Sequence, residues 1–365
     1  MAGGTETYSY NLLKGLAKVS SQQDEFFIFC AKNVQLDFLK HDRRFNIIQY
    51  NIGKTVEQRL LFEQFIFPFR LKKYKTDVLH SLGYTGPVSV RKNHLVTVHD
   101  ANAFVHTDMS WLKRKVLGLL MKLTAKACTH VIAVSHFAKN EIIKYLGTSP
   151  EKITVIHEAG KFINKINAQA LPSRLTYLEN ASYFVALSSA SKNKNIVTLI
   201  NAFKIIADQH AQLKLVLIGY LPPDNSIQKQ VEQYGLVDRI IFTGYVDDDT
   251  LITLFKKSIA FIFPSVYEGF GLPLLEAQNL GVPVISSDKG SLPEIGQESV
   301  LYFDALNAND LSNKMVNIYL DDKLRLTLVE KGFINAKRFS WNEAAQQVLQ
   351  LYHNVKNFSK QTTGA

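Results

Sequence analysis

Eleven short runs of apolar, β-branched and aromatic residues recur along this chain, and their spacing leaves few folds open to it. Phe26–Cys30, Ile47–Tyr50, Val78–Ser81, Leu95–His99, Val131–Val134 and Ile153–Ile156 precede one weakly periodic stretch. Tyr183–Leu187, Leu215–Ile218, Ile240–Phe242, Ala260–Phe263 and Val282–Ile285 follow it. Each run has the length of a buried strand, and a helical or irregular segment separates it from the next. Strands apolar on both faces, alternating with helices, belong in parallel sheets covered by helices, so the expected class is α/β with doubly wound, Rossmann-like domains. The stretch His157–Asn180, with Gly160, Pro172 and scattered polar residues, divides the alternation. The expected division is a first domain over 1–160, a linker over 161–180 and a second domain over 181–339, with Gln361–Ala365 as a disordered end.

At 365 residues there is length for two cores, and 46% hydrophobic with 20% charged residues describes a globular protein. No run reaches the ~20 apolar residues of a membrane span, and no signal peptide is expected. With only Cys30 and Cys128 a disulfide framework is not implied, which points to a reducing, cytoplasmic setting. The net charge of +10 favours anionic partners: a nucleotide, an anionic lipid surface or nucleic acid. Two segments concentrate that charge. In Val56–Tyr74 the apolar positions are expected to pack on the sheet while Arg70, Lys72, Lys73 and Lys75 gather at one end; Trp111–Lys126 sets Lys113, Arg114, Lys115 and Lys122 around leucines. Either is a solvated helix face, or a surface at the inner face of an anionic membrane or toward an acidic acceptor. Neither has the aromatic interleaving of a nucleic-acid groove, so no nucleic-acid partner is expected.

The most informative stretch is Pro264–Ala277, PSVYEGFGLPLLEA. A buried run ends at Pro264, a turn with Gly269 and Gly271 follows, and Pro273 stands where a helix opens. Strand, glycine turn and helix start make a phosphate site, because the helix dipole is positive there and glycines admit a ligand close to the backbone. Glu268 before the turn and Glu276 eight positions on can each accept two hydrogen bonds from a vicinal diol. Taken singly, each glutamate is as well explained as a solvated or dipole-stabilising residue. Taken whole, the string resembles the E-x7-E signature of the retaining glycosyltransferases of family 4, in their mannosyltransferase-like branch.

The resemblance runs from Gly3 to about Tyr352 and implies the GT-B fold: two Rossmann-like domains facing across a cleft, with the last helix, 340–358, packing back on the first domain. The family's first strand, central in its sheet, has no counterpart before Gly3 and Gly4, the pair that matches the family's loop beside the donor diphosphate. Leu95–Asp100, LVTVHD, resembles the strand whose histidine reaches the transferred sugar, which implies that role for His99; locally satisfied hydrogen bonds are the plainer account of His99 and Asp100. Ser188–Asn195 resembles the phosphate loop, with Lys194 and Asn195 in place and Ser189 where many members carry arginine. Phe242–Val246 resembles the base-binding turn, implying donor contacts from Gly244, Tyr245 and Val246. The glycine turn implies further donor contacts from Glu268, Gly269, Phe270, Gly271, Leu272 and Glu276. Ser135 and Asp247–Asp249 are expected as helix caps and first-turn acids, not as ligands or a metal site.

The activity implied is transfer of a hexose from a nucleoside diphosphate sugar, GDP-mannose before UDP-glucose, to a saccharide or lipid-linked saccharide in surface polysaccharide synthesis. The family uses no metal or other cofactor. Its catalytic set here would be His99, Glu268 and Lys194. Alternatives are a transferase that lost activity and only binds, or a non-transferring nucleotide-sugar enzyme on the same fold. A nicotinamide dehydrogenase is excluded by the lack of a G-x-G-x-x-G turn after an early strand. Oligomeric state is open.

Overall fold

The computed structural model describes residues 4–53, 55–105, 110–161 and 169–363. They form two compact units, one of described residues up to Glu158 together with those from Ser340 onward, the other Ala159–Phe339. In chain order the first unit has α1 (Gly4–Val19), β1 (Phe26–Ala31), β2 (Phe45–Tyr50), α2 (Val56–Leu61), α3 (Phe67–Leu71), β3 (Leu79–Ser81), β4 (His94–Val98), α4 (Asn102–Val105), α5 (Trp111–Ala127), β5 (His130–Ala133), α6 (His136–Leu146) and β6 (Ile153–Val155). The second has β7 (Tyr183–Ser188), α7 (Ile196–Ala207), β8 (Lys214–Gly219), α8 (Ser226–Gln233), β9 (Ile240–Gly244), α9 (Asp248–Lys256), β10 (Phe261–Phe263), α10 (Leu272–Asn279), β11 (Val284–Ser287), α11 (Leu292–Gly296), β12 (Leu301–Phe303), α12 (Ala308–Leu320) and α13 (Asp322–Ala336). The chain then returns to the first unit in α14 (Trp341–Thr363).

All eleven expected strands are present, and β12 is an addition. The second unit is one parallel sheet in the order β12-β11-β10-β7-β8-β9. Its four inner strands are largely buried and its edge strands β9 and β12 partly so, and Leu199, Ile200 and Phe203 of α7 share their core with Leu311, Met315 and Ile318 of α12. Ser135 and Asp247 cap α6 and α9, accepting from the amides of Ala138 at 2.9 Å and Thr250 at 2.8 Å, as their positions predict.

The first unit has two separate parallel sheets, β1-β2 and β3-β4-β5-β6. Burial agrees. Every residue of β4 is buried, whereas all six of β1, FFIFCA, and all three of β3 are only partly so. Side chains hold the pieces together instead. One core joins Leu12 and Leu16 of α1 to Leu95, Ile132 and Val348, with Ile28 and Cys30 of β1 packed against it. His80 of β3 bonds Tyr352 Oη at 2.7 Å and Thr97 Oγ1 at 2.8 Å. Burial lowers His80 to about 3, so it serves as a neutral tie.

Three expectations need correcting. The segment 56–74 does not lay all its apolar positions on the sheet: Phe67 and Leu71 are buried, but Leu61, Phe65 and Phe69 are more than half exposed. The helix there is interrupted by a π turn over 62–66, and its apolar residues point both toward the sheet and outward. Residues 173–178, placed in a linker, form a short helix whose Leu175 and Leu178 are buried. Finally, α14 extends past Gln361 to Thr363.

The tightest helix contact in the first unit is at Gly15, where a Cβ would stand 2.6 Å from the Trp341 carbonyl oxygen and 2.8 Å from Ala345 Cβ. Both are parts of α14 that cannot yield without moving that helix. Gly15→Ala should therefore destabilise the unit by about 1–3 kcal/mol, the usual cost of overpacking. A chemical denaturation midpoint unchanged from wild type would contradict this contact.

Candidate functional site

In the second unit the chain runs outward from β7 through β8 to β9 on one side and from β10 through β11 to β12 on the other. The order reverses between β7 and β10, where the loops after the two strands diverge and leave a crevice at their carboxyl ends. The turns expected to bind donor follow these two strands.

Asparagines hold the turns in place. Asn195 has φ +53°, a left-handed conformation that asparagine tolerates, and precedes α7. Its side-chain amide donates to the Pro264 carbonyl at 3.0 Å and the Ala305 carbonyl at 2.7 Å. Asn193 donates to the Tyr267 carbonyl at 3.1 Å, and its own carbonyl accepts from Val266 N at 2.8 Å. With the loops thus joined, Lys194 Nζ donates to Glu268 Oε1 at 2.6 Å, both side chains retaining some exposure. A Cβ on Gly290, at φ +63°, would lie 2.8 Å from the Glu268 carbonyl oxygen. Ser291 fixes the glycine turn further, its hydroxyl donating to the carbonyls of Glu268 at 3.0 Å and Phe270 at 2.7 Å. Gly271, at φ +104°, is the residue before α10, and a Cβ there would stand 2.7 Å from Leu292. Leu272 and Phe270 are buried beneath the turn.

Three buried polar atoms beside this crevice have no partner: Ser188 Oγ at the end of β7, Asn193 Oδ1 in the turn after it, and Ser265 Oγ just beyond β10. Orphaned buried polar groups are rare, and water, an ion or a polar ligand can complete the bonding of such a group.

Glu276, one turn into α10, is half-buried, and desolvation pushes its carboxyl up to about 7; the charge and backbone amide of Lys161 oppose the shift and Asp248 adds to it. At neutral pH it is divided between a carboxylate and a neutral acid. Gly244 (φ +65°) ends β9, two strands from β7, with Tyr245 52% exposed and Val246 buried. Ser189 accepts from Ser191 N at 3.2 Å and shapes the phosphate turn without adding charge.

His99 and Gly4 belong to the other unit. His99, just past β4, is 7% exposed and has a partner at each ring nitrogen: Nδ1 meets Glu158 Oε1 at 3.0 Å and Nε2 the Leu82 carbonyl at 3.0 Å. Desolvation favours the neutral ring, but the Glu158 bond and charge and the Leu82 carbonyl outweigh it, so its pKa is raised. Asp100 accepts from Tyr84 Oη at 3.0 Å. Gly4 opens α1 with open space around its Cα, and Gly3 lies outside the described residues.

The structure thus brings Lys194, Ser189, Glu268 and the turn Gly269–Leu272 together, places Glu276 along the same helix, and sets Gly244–Val246 farther along the sheet edge. Sequence reasoning missed Glu158, 59 residues from its histidine, and the clamping role of Asn193, for which the only signal was its place between two lysines.

Residues 2–159 match the family described as Glycosyltransferase Family 4, and residues 176–334 that described as Glycosyl transferases group 1. The chain is 27% identical to O-antigen chain mannosyltransferase B of Escherichia coli, over 96% of this chain and 95% of that one. Sucrose-phosphate synthase from Thermosynechococcus elongatus superposes with a TM-score of 0.77 at 23% identity, over 97% of this chain and 94% of that one. HepE from Anabaena, solved in complex with UDP-glucose, gives 0.73 at 16% identity over 97% of both chains. These likenesses show the GT-B fold.

The raised Glu276 carboxyl has a consequence for stability. Between about pH 4.5, where an ordinary glutamate ionises in the unfolded chain, and about pH 7, the folded protein holds a proton that the unfolded chain has released. Stability should fall across that window, by on the order of 2 kcal/mol, and level off above it. Comparing denaturation midpoints from pH 4.5 to 8 in wild type and Glu276→Gln checks this; an equal slope in both would assign it elsewhere.

Proposed function

Because the chain belongs to the family 4 and group 1 glycosyltransferases, we propose that it is a retaining, metal-independent hexosyltransferase. It moves mannose from GDP-mannose to a saccharide carried on a lipid, in surface polysaccharide synthesis. The observation that carries this reading is the Lys194–Glu268 pair, held at the strand-order reversal beside three unpartnered buried polar atoms. Mannose is favoured by the mannosyltransferase name of the Escherichia coli relative.

In this reading the diphosphate lies at the positive end of the α10 dipole and draws Lys194 away from Glu268. The exchange neutralises the group that gains charge as the glycosidic bond breaks, and it frees Glu268 for hydroxyls of the sugar. Glu276 accepts the ribose diol, while Gly244, Tyr245 and Val246 meet the base. Within the first unit, Glu158 and the Leu82 carbonyl hold the His99 ring in place. The acceptor attacks from the face the diphosphate leaves, and a phosphate oxygen takes its proton. The sequence offers no obvious carboxylate nucleophile for a double displacement.

The acceptor side of the reading rests on the first unit. Leu61, Phe65 and Phe69 of one segment and Trp111, Leu112 and Leu119 of α5 are each more than half exposed. Lys113 of α5 pairs with Glu57 of α2 at 2.9 Å, joining the two into one surface. Residues 56–75 and 111–127 carry +8 of the whole chain's +10. Exposed aromatic and aliphatic residues among lysines are the composition of an interfacial surface on an anionic membrane. Among the described residues no helix is long and apolar enough to cross one.

The divided sheet of the first unit favours a second reading, a shell that binds nucleotide-sugar without turnover. Two measurements separate the readings. GDP at 100 times its dissociation constant should add about 2.7 kcal/mol of stability, visible as a thermal shift that Lys194→Ala and Glu276→Ala abolish. If GDP-mannose is also hydrolysed or transferred, and Lys194→Ala lowers that rate by about 10²–10³, the enzyme reading stands. Stabilisation without turnover would leave the binding shell, a response to UDP and UDP-glucose alone would move the donor to glucose, and no response to any nucleotide would sink the proposal.

A further inference from the structure

Inside the first unit, the hydrogen bonds of His99 fix more than the position of its ring. Glu158 Oε1 lies 3.0 Å from Nδ1, and the Leu82 carbonyl oxygen lies 3.0 Å from Nε2. A backbone carbonyl only accepts hydrogen bonds, and so does an ionised carboxylate. A neutral imidazole has one N–H and one lone pair, so between these partners one of its nitrogens would turn a lone pair toward an oxygen lone pair. Two arrangements avoid that repulsion: an imidazolium donating to both oxygens beside a carboxylate, or a neutral ring with its N–H at Nε2 beside a protonated Glu158. The surroundings select the imidazolium. The rings of Tyr8 and Tyr84 stand 4.8 and 5.6 Å from the imidazole centre, within the ~6 Å over which an aromatic ring draws a cation. Asp100, next in the chain, adds a second carboxyl group, which accepts from Tyr84 Oη at 3.0 Å and Asn102 N at 2.8 Å. Against desolvation, the bond and charge of Glu158, the Leu82 carbonyl and the charge of Asp100 hold the ring's pKa above its ordinary value. The other titratable groups around it are uncharged at neutral pH, because burial raises Tyr8 and Tyr84 and lowers His80 of β3 to about 3.

We propose that Glu158 is a positioning residue for the transfer reaction: it keeps His99 protonated at both nitrogens at neutral pH, so that the ring acts as a charged hydrogen-bond donor and not as a base. The proposal rests on the transferase reading, in which His99 belongs to the catalytic set, and it deepens that reading by naming the kind of atom the ring can meet. With no lone pair to offer, the ring meets an acceptor oxygen of a hydroxyl or phosphoryl group, and its charge strengthens that bond. The proton of the attacking hydroxyl then goes to another group, which agrees with its passage to a phosphate oxygen. The sign of the pH dependence follows. A histidine base works when deprotonated, so its rate rises with pH through the titration of the ring; a charged donor is lost there, and the rate falls.

Nuclear magnetic resonance of the full chain without ligand, its histidines labelled with heavy nitrogen, decides the charge; the His99 signals are those lost in His99→Gln. At about pH 7.5 both His99 nitrogens should carry protons, while His80 and His94, lowered by burial to about 3 and about 4, show neutral rings in the same spectrum. Glu158→Gln, whose amide can donate to Nδ1 and leave the Leu82 bond intact, should give a neutral ring protonated at Nε2 alone. Glu158→Asp, which keeps the carboxylate, should retain both protons. Turnover of GDP-mannose or, failing that, UDP-glucose is then followed from about pH 6 to 9. The rate should fall as the ring loses its charge, and in Glu158→Gln the fall should begin about one pH unit or more below its place in wild type. A neutral His99 in wild type, or a ring still doubly protonated in Glu158→Gln, overturns the proposal. So does a rate that rises through the titration of the ring, or a fall at the same pH in wild type and Glu158→Gln, which assigns it to another group. If neither sugar nucleotide is turned over, the transferase reading fails and the role in the reaction fails with it, while the spectra still decide the charge of the ring.

Discussion

Backbone groups at the carboxyl ends of β7 and β10 must find partners where the ladder stops, and most of the site follows from how they do so. At the reversal of strand order the loops part, and no regular structure bridges them. Two asparagine side chains take that place, Asn195 reaching the Pro264 and Ala305 carbonyls and Asn193 reaching Tyr267. Between them they set the position of Lys194 opposite Glu268. Gly290 and Ser291 then fix the glycine turn from the far side. The charged pair is therefore a product of backbone satisfaction by the residues on either side of Lys194, and substitutions at Asn195 or at Gly290 would act on the site without touching a ligand.

The two units meet the demand for paired backbone in different ways. In the second, six adjacent parallel strands satisfy one another, and helices cover both faces. In the first, β1 and β3 each lack a neighbour on one side, and the core formed by α1, α14 and the strand side chains supplies the cohesion. Arg44 adds to it from the start of the β1-β2 pair, donating to the carbonyls of Ala17 and Ser20 at 2.6 Å each and so capping the end of α1.

How much of this was legible follows from which signals are local. Strands apolar on both faces announce themselves over five residues, so Leu215–Ile218 or Val131–Val134 could be placed without the fold; Leu301–Phe303, a three-residue edge strand, could not. Glu268 and Glu276 were found through a contiguous motif, and Ser135 and Asp247 through the short reach of a capping hydroxyl or carboxylate. Glu158 gave no such sign, because its link to His99 exists only once β4 and the segment after β6 are side by side. Nor did the sequence distinguish Phe67, which faces inward, from Phe69, which faces out. The π turn before them shifts the helical phase, and an idealised period does not contain that shift.

The divided sheet also bears on motion. Among the described residues the β1-β2 pair shares no ladder bond with β3-β4-β5-β6, so it can swing away from them at the expense of side-chain contacts and the Arg44 tie. Such a ribbon is a local opening unit with a free energy below that of the whole domain. When it opens it bares the alternate amides and carbonyls of FFIFCA, a flat apolar edge of the sort that pairs with its own kind. For this chain, the slow loss of material on storage or at high concentration would then begin at β1, while the second unit remained folded.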